Sequence, residues 1–383
     1  MEPEGLLTYG PLTKEELLRL SGSAGFTQPQ VVELFRWDLE LVSQLQRQSK
    51  DFILKGGAAA QLYIPLERQR GSVDVDLMFP GQENSLTEAV RALNARFSSR
   101  APFFQFDEYK PKSPTVGLPM KTYDVGLPSV LTDGCRIKLD VLLIDKDVPF
   151  HTIKSARTFA CTVENVTCST AGALIGDKLL TLAKSSIGIQ RLEDYPKQIY
   201  DLEMLACQRK CGIPELMDAV KAVRVLTPVE AGFRDMRVEP TDALEDVKES
   251  MSEYSKVDLT SADVSFKKAV NDFQQFFVNR SEMGSKLYEW SCRALRLRFL
   301  ASLIQLHLAD KLSLREVERL FSLSKSISSR AKSVKGKEIE KARSGLLRFS
   351  KGDETKELKG KPLDRVFWNG VIPENVEQMN GVV

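Results

Sequence analysis

The chain has 383 residues, and at roughly 100–200 residues per domain this length predicts two or three domains. An apolar fraction of 42% and a charged fraction of 28% are typical of a globular protein and argue against a disordered chain, a collagen or a disulfide scaffold. With 54 Lys and Arg against 52 Asp and Glu, bulk charge cannot attract nucleic acid, so such binding needs a local basic patch.

The histidine content disfavours several classes of metal site. His151 and His307 lie far apart in sequence, and neither has a second His or a paired Cys at ligand spacing. Zinc hydrolases and multi-histidine sites are therefore disfavoured. Any bound metal is expected to be a hard cation held by carboxylates, which makes clustered Asp and Glu the informative residues.

The N-terminus, hydropathy and cysteines favour a cytoplasmic protein with no membrane span. The first five residues lack a basic region followed by an apolar core, so no secretory signal is expected. No apolar run approaches the ~20 residues that cross a bilayer. Cys207 and Cys211 are four apart on a predicted helix but lack two further ligands, so we interpret them as core residues.

Residues 1–50 predict an N-terminal helical segment. Thr13 and Glu16 have the spacing of a capping box at the start of one helix. A second helix is predicted from about Gln28, because apolar residues recur there at near-helical spacing.

Residues 51–168 predict an α+β core with a mixed sheet. A short apolar run ends at Gly56 and Gly57, and residues 72–79 and 136–143 each alternate polar and apolar side chains as strands do. A helix is predicted around residues 86–97, and residues 103–130 are typical of β-hairpins. Strands interleaved with helices indicate layered helices and sheet.

The rest of the chain predicts a mainly helical region, divided into residues 169–225 and a C-terminal region of residues 226–383. Helices are predicted at residues 171–184, 196–210, 214–225, 260–278, 284–308, 313–323 and 336–349. Residues 242–263 carry seven Asp or Glu against two Lys and are interpreted as a solvated connector. Residues 325–351 carry nine Lys or Arg against two Glu and form a basic stretch.

Carboxylates on two predicted strands indicate a cation site. Asp74 and Asp76 are two apart in a strand, so they project from one face about 7 Å apart, and Lys138 and Asp140 share a face of the later strand. If the two strands are neighbours, three carboxylates converge, and their repulsion calls for a divalent cation. Asp74, Asp76 and Asp140 are therefore the predicted ligands of Mg²⁺, with Mn²⁺ as the alternative ion, in metal-assisted phosphoryl or nucleotidyl transfer.

The glycine pair indicates a phosphate-binding segment. Gly56 and Gly57 end a strand and open a helix, so the backbone can approach a triphosphate closely and offer it free N–H groups. Arg70 and Ser72, with Arg68, are close enough in sequence to add contacts to an NTP. An Asp-x-Asp alone is usually a solvated strand face and a Gly-Gly alone a turn. The combination with a third strand Asp favours a functional site.

These motifs resemble the polymerase-β-like nucleotidyltransferase superfamily and, more narrowly, the AbiEii/AbiGii toxin family. The family pattern Lys-Gly-Gly-Thr-Ala-Leu, then Arg-x-Ser-x-Asp-Ile-Asp-Leu, is similar to residues 52–79, with Ala58 in place of Thr. Residues 176–183 resemble its motif around an essential Lys, and residues 197–202 its Lys-Gln-Leu-Tyr-Asp-Ile motif. The resemblance covers about residues 50–205 and implies that residues 169–225 form a helical part of the active site.

Lys178 and Asp201 are the site residues of that helical part. On a helix, Lys178 is flanked by Leu174, Ile175 and Leu182, and a lysine on an apolar stripe either extends its ammonium to solvent or serves a site. A lysine there would bind phosphates as a point charge, and Asp201 would orient it. The resemblance implies that both belong to the active site.

The resemblance also implies the toxin of a toxin–antitoxin or phage-defence pair, with a cognate antitoxin protein as a partner. Some relatives add nucleotides to the 3′ end of tRNA, so we expect a nucleoside monophosphate to be moved from an NTP to an RNA acceptor. Lys332, Lys335 and Lys337 in the basic stretch are candidate contacts to the RNA backbone, or equally a solvated helix face. The alternatives are nucleotidylation of a protein or small molecule, and an inactive binding module of the same fold.

Overall fold

A computed structural model describes residues 7–98, 103–109, 120–144, 150–208, 211–260, 262–350 and 354–383. The chain divides into two units. Unit 1 comprises Met1–Leu174 and Asp272–Gly284, and unit 2 comprises Ile175–Asn271 and Ser285–Val383. The division into four domains that the sequence predicts stays a prediction.

Unit 1 is built on a mixed sheet, which has seven strands in the described residues and confirms the predicted α+β fold. Its strands are β1 (Ile53–Lys55), β2 (Asp74–Phe79), β3 (Gln105–Glu108), β4 (Met120–Leu127), β5 (Cys135–Leu143), β6 (His151–Arg157) and β7 (Thr162–Ser169). Their order in the sheet is β3-β4-β5-β2-β1-β7-β6. The pairs β2/β5 and β1/β7 are parallel, and the other neighbouring pairs are antiparallel.

Alternation along β2 and β5 fixes which face of each strand is buried. Val75 and Leu77 of β2, like the odd-numbered residues of β5 from Ile137 to Val141, are at most 1% exposed. Burying these apolar side chains on one side leaves the intervening polar residues on the other side. The predicted hairpins of residues 103–130 correspond to the antiparallel β3/β4 and β4/β5 pairs, and residues 110–119 lie outside the described residues.

The helices of unit 1 are α1 (Lys14–Ala24), α2 (Pro29–Gln48), α3 (Gly56–Gln61), α4 (Glu83–Ser98) and α10 (Arg280–Met283). The predicted capping box is confirmed, because the Thr13 hydroxyl accepts from the backbone N–H of Glu16 and the Glu16 carboxylate accepts from that of Thr13. Helix α2 contacts α4 and strands β2, β5 and β7, which explains why 13 of its 20 residues are buried.

A late segment of the chain completes unit 1. The Gly71 N–H donates to the Phe277 carbonyl over 2.8 Å, and Arg70 forms a β-bridge with Val278. Asn279 Nδ2 donates to the carbonyl of Glu67 over 2.8 Å. The sequence predicted one helix over residues 260–278, whereas α9 (Val264–Phe276) stops before this bridge, where extended pairing replaces helical bonds.

Unit 2 is helical, as predicted. Besides most of α9, its helices are α5 (Ala171–Thr181), whose first four residues belong to unit 1, α6 (Tyr195–Glu203), α7 (Ile213–Gly232), α8 (Pro240–Tyr254), α11 (Leu287–Leu308), α12 (Leu314–Ser333), α13 (Glu338–Leu347), α14 (Glu354–Leu358), α15 (Leu363–Gly370) and α16 (Val376–Asn380). Helix α11 packs against α6, α8, α12 and α15 and is buried over most of its length. None of the helices within the described ranges has the length and apolar character to span a membrane.

The interpretation of residues 242–263 as a solvated connector is wrong. Most of this acidic stretch is α8, whose Leu244, Val247 and Met251 are fully buried where the helix packs against α11. Its acidic residues lie between these apolar positions, so the composition concealed an amphipathic helix. Residue 261, within the same stretch, lies outside the described residues.

Candidate active site

The structure brings the three predicted carboxylates onto one face of the sheet. Strands β2 and β5 are parallel neighbours, with Asp74 opposite Lys138 and Asp76 opposite Asp140. Residues in register on adjacent strands project from the same face, and the strands lie about 4.8 Å apart. The condition for convergence of the three carboxylates, that the two strands are neighbours, is therefore met.

The row through Asp76 extends to both neighbouring strands. Lys55 of β1 is the register partner of Asp76, and Thr122 of β4 is the register partner of Asp140. The Lys55, Asp76, Asp140 and Thr122 side chains thus follow one another across four strands on the same face. A cation, two carboxylates and a hydroxyl are combined in this row, which is chemistry suited to binding charged oxygen groups.

Gly56 closes this row at the end of β1. Its φ of +65° lies in the left-handed region that favours glycine. A Cβ atom at this position would overlap Oδ2 of Asp76. Gly56 therefore allows the backbone to lie directly against the carboxylate, and any other residue would force that carboxylate aside.

Gly57, Arg70 and Ser72 lie together beside Gly56. A Cβ atom on Gly57 would lie 2.8 Å from Nη2 of Arg70 and 3.1 Å from Oγ of Ser72. Arg70 is only 3% exposed, and its Nη1 donates to the Gly71 carbonyl over 2.6 Å. Arg70 is thus a buried side chain that packs against Gly57 of the glycine pair. Binding of a nucleotide by Gly56, Gly57, Arg70 and Ser72 stays a prediction. Arg68 is half-exposed and paired with Glu282.

Asp140 has protein partners on both oxygens. Lys138 Nζ lies 2.6 Å from Oδ2, and the Thr122 hydroxyl donates to Oδ1 over 2.6 Å. Across the described ranges of the chain, no three His, Cys, Asp or Glu side chains are grouped closely enough to hold a metal ion. The donor chemistry fits a divalent cation, since Mg²⁺ prefers carboxylate oxygens. Asp140 would have to exchange partners to join Asp74 and Asp76 as a ligand.

Sequence reasoning missed a fourth carboxyl group near the site, that of Asp38 on α2. It is fully buried, and neither oxygen has a hydrogen-bond partner among the residues that the structure describes. Burial, reinforced by the charges of Asp74 and Asp76, raises the pKa of Asp38 well above its usual range. The available signal was its place among Leu34, Leu41 and other apolar residues of an amphipathic helix.

Lys178 and Asp201 form a buried ion pair in unit 2. Their side chains are 2% and 0% exposed, and Nζ lies 2.9 Å from Oδ2 of Asp201. Lys178 also donates to Oε1 of Gln198 over 2.8 Å. The predicted orientation of Lys178 by Asp201 is therefore confirmed as a contact, and a catalytic role for the pair stays a prediction.

The basic stretch spans the end of α12, the segment of residues 334–337 that contains Lys335 and Lys337, and α13. Lys332, Lys335 and Lys337 are exposed, as a nucleic-acid contact requires. Lys332, whose side chain is 61% exposed, also lies 3.6 Å from Oδ2 of the buried Asp364. Lys351, at the end of the stretch, lies outside the described residues.

The chain is similar to one protein family and to a solved structure. Residues 41–276 match the family described as "Nucleotidyl transferase AbiEii toxin, Type IV TA system". A solved structure from H. pylori, assigned as a nucleotidyltransferase, is similar over 73% of this chain and 96% of its own, with 16% identity and a TM-score of 0.39. No protein of curated function matches the chain.

Proposed function

The chain belongs to the AbiEii nucleotidyltransferase toxin family of type IV toxin–antitoxin systems, and from this we propose that it moves a nucleoside monophosphate from an NTP to RNA. The acceptor that we propose is the 3′ end of a tRNA, and the metal is Mg²⁺ or Mn²⁺. A cognate antitoxin is its expected protein partner. The observation that carries the proposal is the register of Asp76 beside Asp140, with Gly56 against Asp76.

The three predicted carboxylates would act at the reacting phosphoryl group. The acceptor oxygen forms a bond to the α-phosphorus, the bond from that phosphorus to the bridging oxygen breaks, and pyrophosphate leaves while the hydroxyl proton passes to a carboxylate of the site. Asp74 and Asp76 would hold the cation, which supplies positive charge at the phosphoryl group when bound. Asp140 on the neighbouring strand would complete the carboxylate set.

The nucleotide-binding part combines backbone and side chains. Gly56 brings the backbone against the Asp76 carboxylate, and Gly57 brings it against Arg70 and the Ser72 hydroxyl. The N–H groups of this glycine segment and the Ser72 hydroxyl would bind phosphate oxygens of the NTP. Arg70 holds that segment in place from its buried position. Lys178, which the family resemblance assigns to the active site, would bind phosphate through its positive charge, and Asp201 and Gln198 would orient it.

The RNA acceptor would be attracted by the basic stretch. Lys332, Lys335 and Lys337 present three positive charges on exposed positions, whereas the whole chain has a net charge of only +2. Contact with backbone phosphates through such side chains is independent of sequence and sensitive to salt. This is the patch on which we propose that RNA binds.

Transfer of label identifies the acceptor. The purified chain would be incubated with each of the four NTPs labelled at the α-phosphate, with tRNA, and with Mg²⁺ or Mn²⁺. We expect label in tRNA from the wild-type chain and none from Asp76→Asn. Label in a protein or small molecule instead would favour that acceptor class. No transfer from any NTP with either metal would contradict the proposal.

A further inference from the structure

Lys138 occupies an unusual place for a lysine on a sheet, because its neighbours on one face are the carboxylates of the candidate site. It is the register partner of Asp74, and it lies two residues before Asp140 on the same face of β5. Its ammonium is 2.6 Å from Oδ2 of Asp140. The side chain is 49% exposed and that of Asp140 is 19% exposed, so the pair lies at the accessible surface of the site.

Lys138 carries a positive charge at neutral pH, as lysine ordinarily does. Its ammonium contacts Asp140, and its register partner on the neighbouring strand is Asp74, two residues before Asp76. The carboxylates of all three residues lie on the same face and attract this ammonium. Lysine is suited to such a position, because its charge sits at the end of a flexible stem and is not tied to one geometry.

Both carboxylate oxygens of Asp140 are held by protein partners, and the described parts of the chain contain no group of three carboxylates that could hold a metal ion. Lys138 engages one oxygen and the Thr122 hydroxyl the other, both over 2.6 Å. A divalent cation bound at Asp74 and Asp76 would lie close to the Lys138 ammonium, because Lys138 is in register with Asp74 on the neighbouring strand. Two cations near the same carboxylates repel each other.

We propose that Lys138 is a built-in counter-cation of the carboxylate face, which competes with the divalent cation for Asp140. The inference rests on the proposed function, since it concerns the cation of that site. With no divalent ion bound, the ammonium neutralises part of the negative charge and stabilises the sheet. When the ion binds through Asp74 and Asp76, Lys138 withdraws and Asp140 becomes available as the third ligand, at a cost to the affinity for the ion.

Direct measurement of metal binding tests this competition without any enzymatic readout. Mn²⁺ would be titrated into the full chain by calorimetry in the absence of nucleotide, comparing the wild type with Lys138→Met, which keeps the stem and removes the charge. We expect Lys138→Met to bind Mn²⁺ about tenfold more tightly. Lys121→Met is the matched control, because Lys121 of the same sheet pairs with Glu83 and Glu108, and its affinity should equal that of the wild type.

Stability gives a second readout of the same competition. In chelator, Lys138→Met should unfold at a lower temperature than the wild type, and saturating Mn²⁺ should remove most of the difference. Lys138→Arg keeps the charge and should therefore retain the wild-type affinity for Mn²⁺. It is the variant to be measured if Lys138→Met does not fold. Equal or weaker Mn²⁺ binding by Lys138→Met, or tighter binding by Lys138→Arg, would overturn the proposal.

The outcome separates this inference from the proposed function. Tighter Mn²⁺ binding by Lys138→Met, together with no nucleotide transfer by the wild type, would support the counter-cation and contradict the transferase reaction with RNA. If the wild type binds no Mn²⁺ and neither does Lys138→Met, the counter-cation proposal fails, whatever transfer assays show.

Discussion

Gly56 and Asp76 are in such close contact that the glycine has no room for a Cβ atom, since that atom would overlap Oδ2 of the carboxylate. The contact joins the end of β1 to the middle of β2 and sets the position of a proposed cation ligand relative to the glycine pair. Residue choice at position 56 is thus tied to the site as well as to the backbone.

Gly56→Ala should therefore abolish nucleotide transfer and lower the free energy of unfolding by more than the strain of its backbone alone. A left-handed conformation costs a non-glycine residue about 1–2 kcal/mol. Gly10→Ala is the control, because Gly10 has a φ of +66° but nothing within 4 Å of its added Cβ atom. Urea denaturation of both variants measures the difference. If the two variants are equally destabilised and both keep activity, the contact with Asp76 is unimportant.

The buried pair Lys178–Asp201 should behave as a unit. Removing one partner leaves an unpaired buried charge, which typically costs about 3–5 kcal/mol. Lys178→Met and Asp201→Leu should each be strongly destabilising, and the double variant should be more stable than either single variant. Unfolding by urea completes the double-mutant cycle.

Nucleotide transfer by the double variant separates stability from catalysis. If the pair serves the reaction, the double variant should remain inactive although its stability is largely restored. A double variant with wild-type transfer would assign the pair to the helical core alone.

The raised pKa of Asp38 predicts that the free energy of unfolding depends on pH. Its pKa is raised in the native state by burial and by Asp74 and Asp76, so the folded chain holds the proton more tightly than the unfolded chain. Stability is therefore lost as pH rises above the unfolded value of about 3.9, with a slope approaching 1.4 kcal/mol per pH unit, until the native pKa is passed.

Asp38→Asn should remove this slope, because the amide does not titrate. The free energy of unfolding of wild type and variant would be compared between pH 4.5 and 7 by chemical denaturation, and the variant should gain relative to the wild type as pH rises. Asp133→Asn, on an exposed loop position, is the control and should leave the slope unchanged. A constant difference for Asp38→Asn across this range would refute the argument.

Charge reversal in the basic stretch should weaken RNA binding. Changing Lys332, Lys335 and Lys337 to Glu should reduce affinity for tRNA and flatten its dependence on salt, by about 0.7–0.9 in the log–log slope for each phosphate that the variant no longer neutralises. Filter binding between 50 and 200 mM salt measures both quantities. Unchanged affinity would remove the stretch from RNA recognition.

Two comparisons keep that result interpretable. Lys332 pairs with Asp364, so thermal unfolding must show that the triple variant is folded, and the Lys335→Glu, Lys337→Glu double variant leaves that pair intact. A control with three reversed lysines elsewhere on the exposed surface, at Lys14, Lys50 and Lys311, changes the net charge equally. It should bind RNA more tightly than the triple variant of the basic stretch.

Much of the site follows from local periodicity. Alternation in β2 and β5 predicts that Asp74 and Asp76 share a face of one strand and that Asp140 shares a face of the other with Lys138, because side chains in a strand repeat every two residues. Their adjacency needed the pairing of β2 with β5, which depends on non-local contacts. The same limit applies to Thr122, whose bond to Asp140 is set by register across β4 and β5.

The amino-acid composition was a misleading guide where tertiary packing determines which side chains are buried. The acidic charge of residues 242–263 masked the buried stripe of Leu244, Val247 and Met251 in α8, since a charge count does not record where the side chains point. Asp38 was missed for the opposite reason. A single carboxyl group beside the apolar positions of a helix commonly lies at the protein surface. Only the tertiary structure shows that both oxygens of Asp38 are buried.

The return of residues 272–284 to unit 1 has a consequence for synthesis on the ribosome. Gly71 and Arg70, next to the glycine pair, receive their backbone partners Phe277 and Val278 only after residues 175–271 have been translated. A nascent chain that already contains all seven strands described for the sheet still lacks these backbone partners. The candidate active site is thus completed late in translation, and a chain released before residue 277 would lack the backbone partners of Arg70 and Gly71.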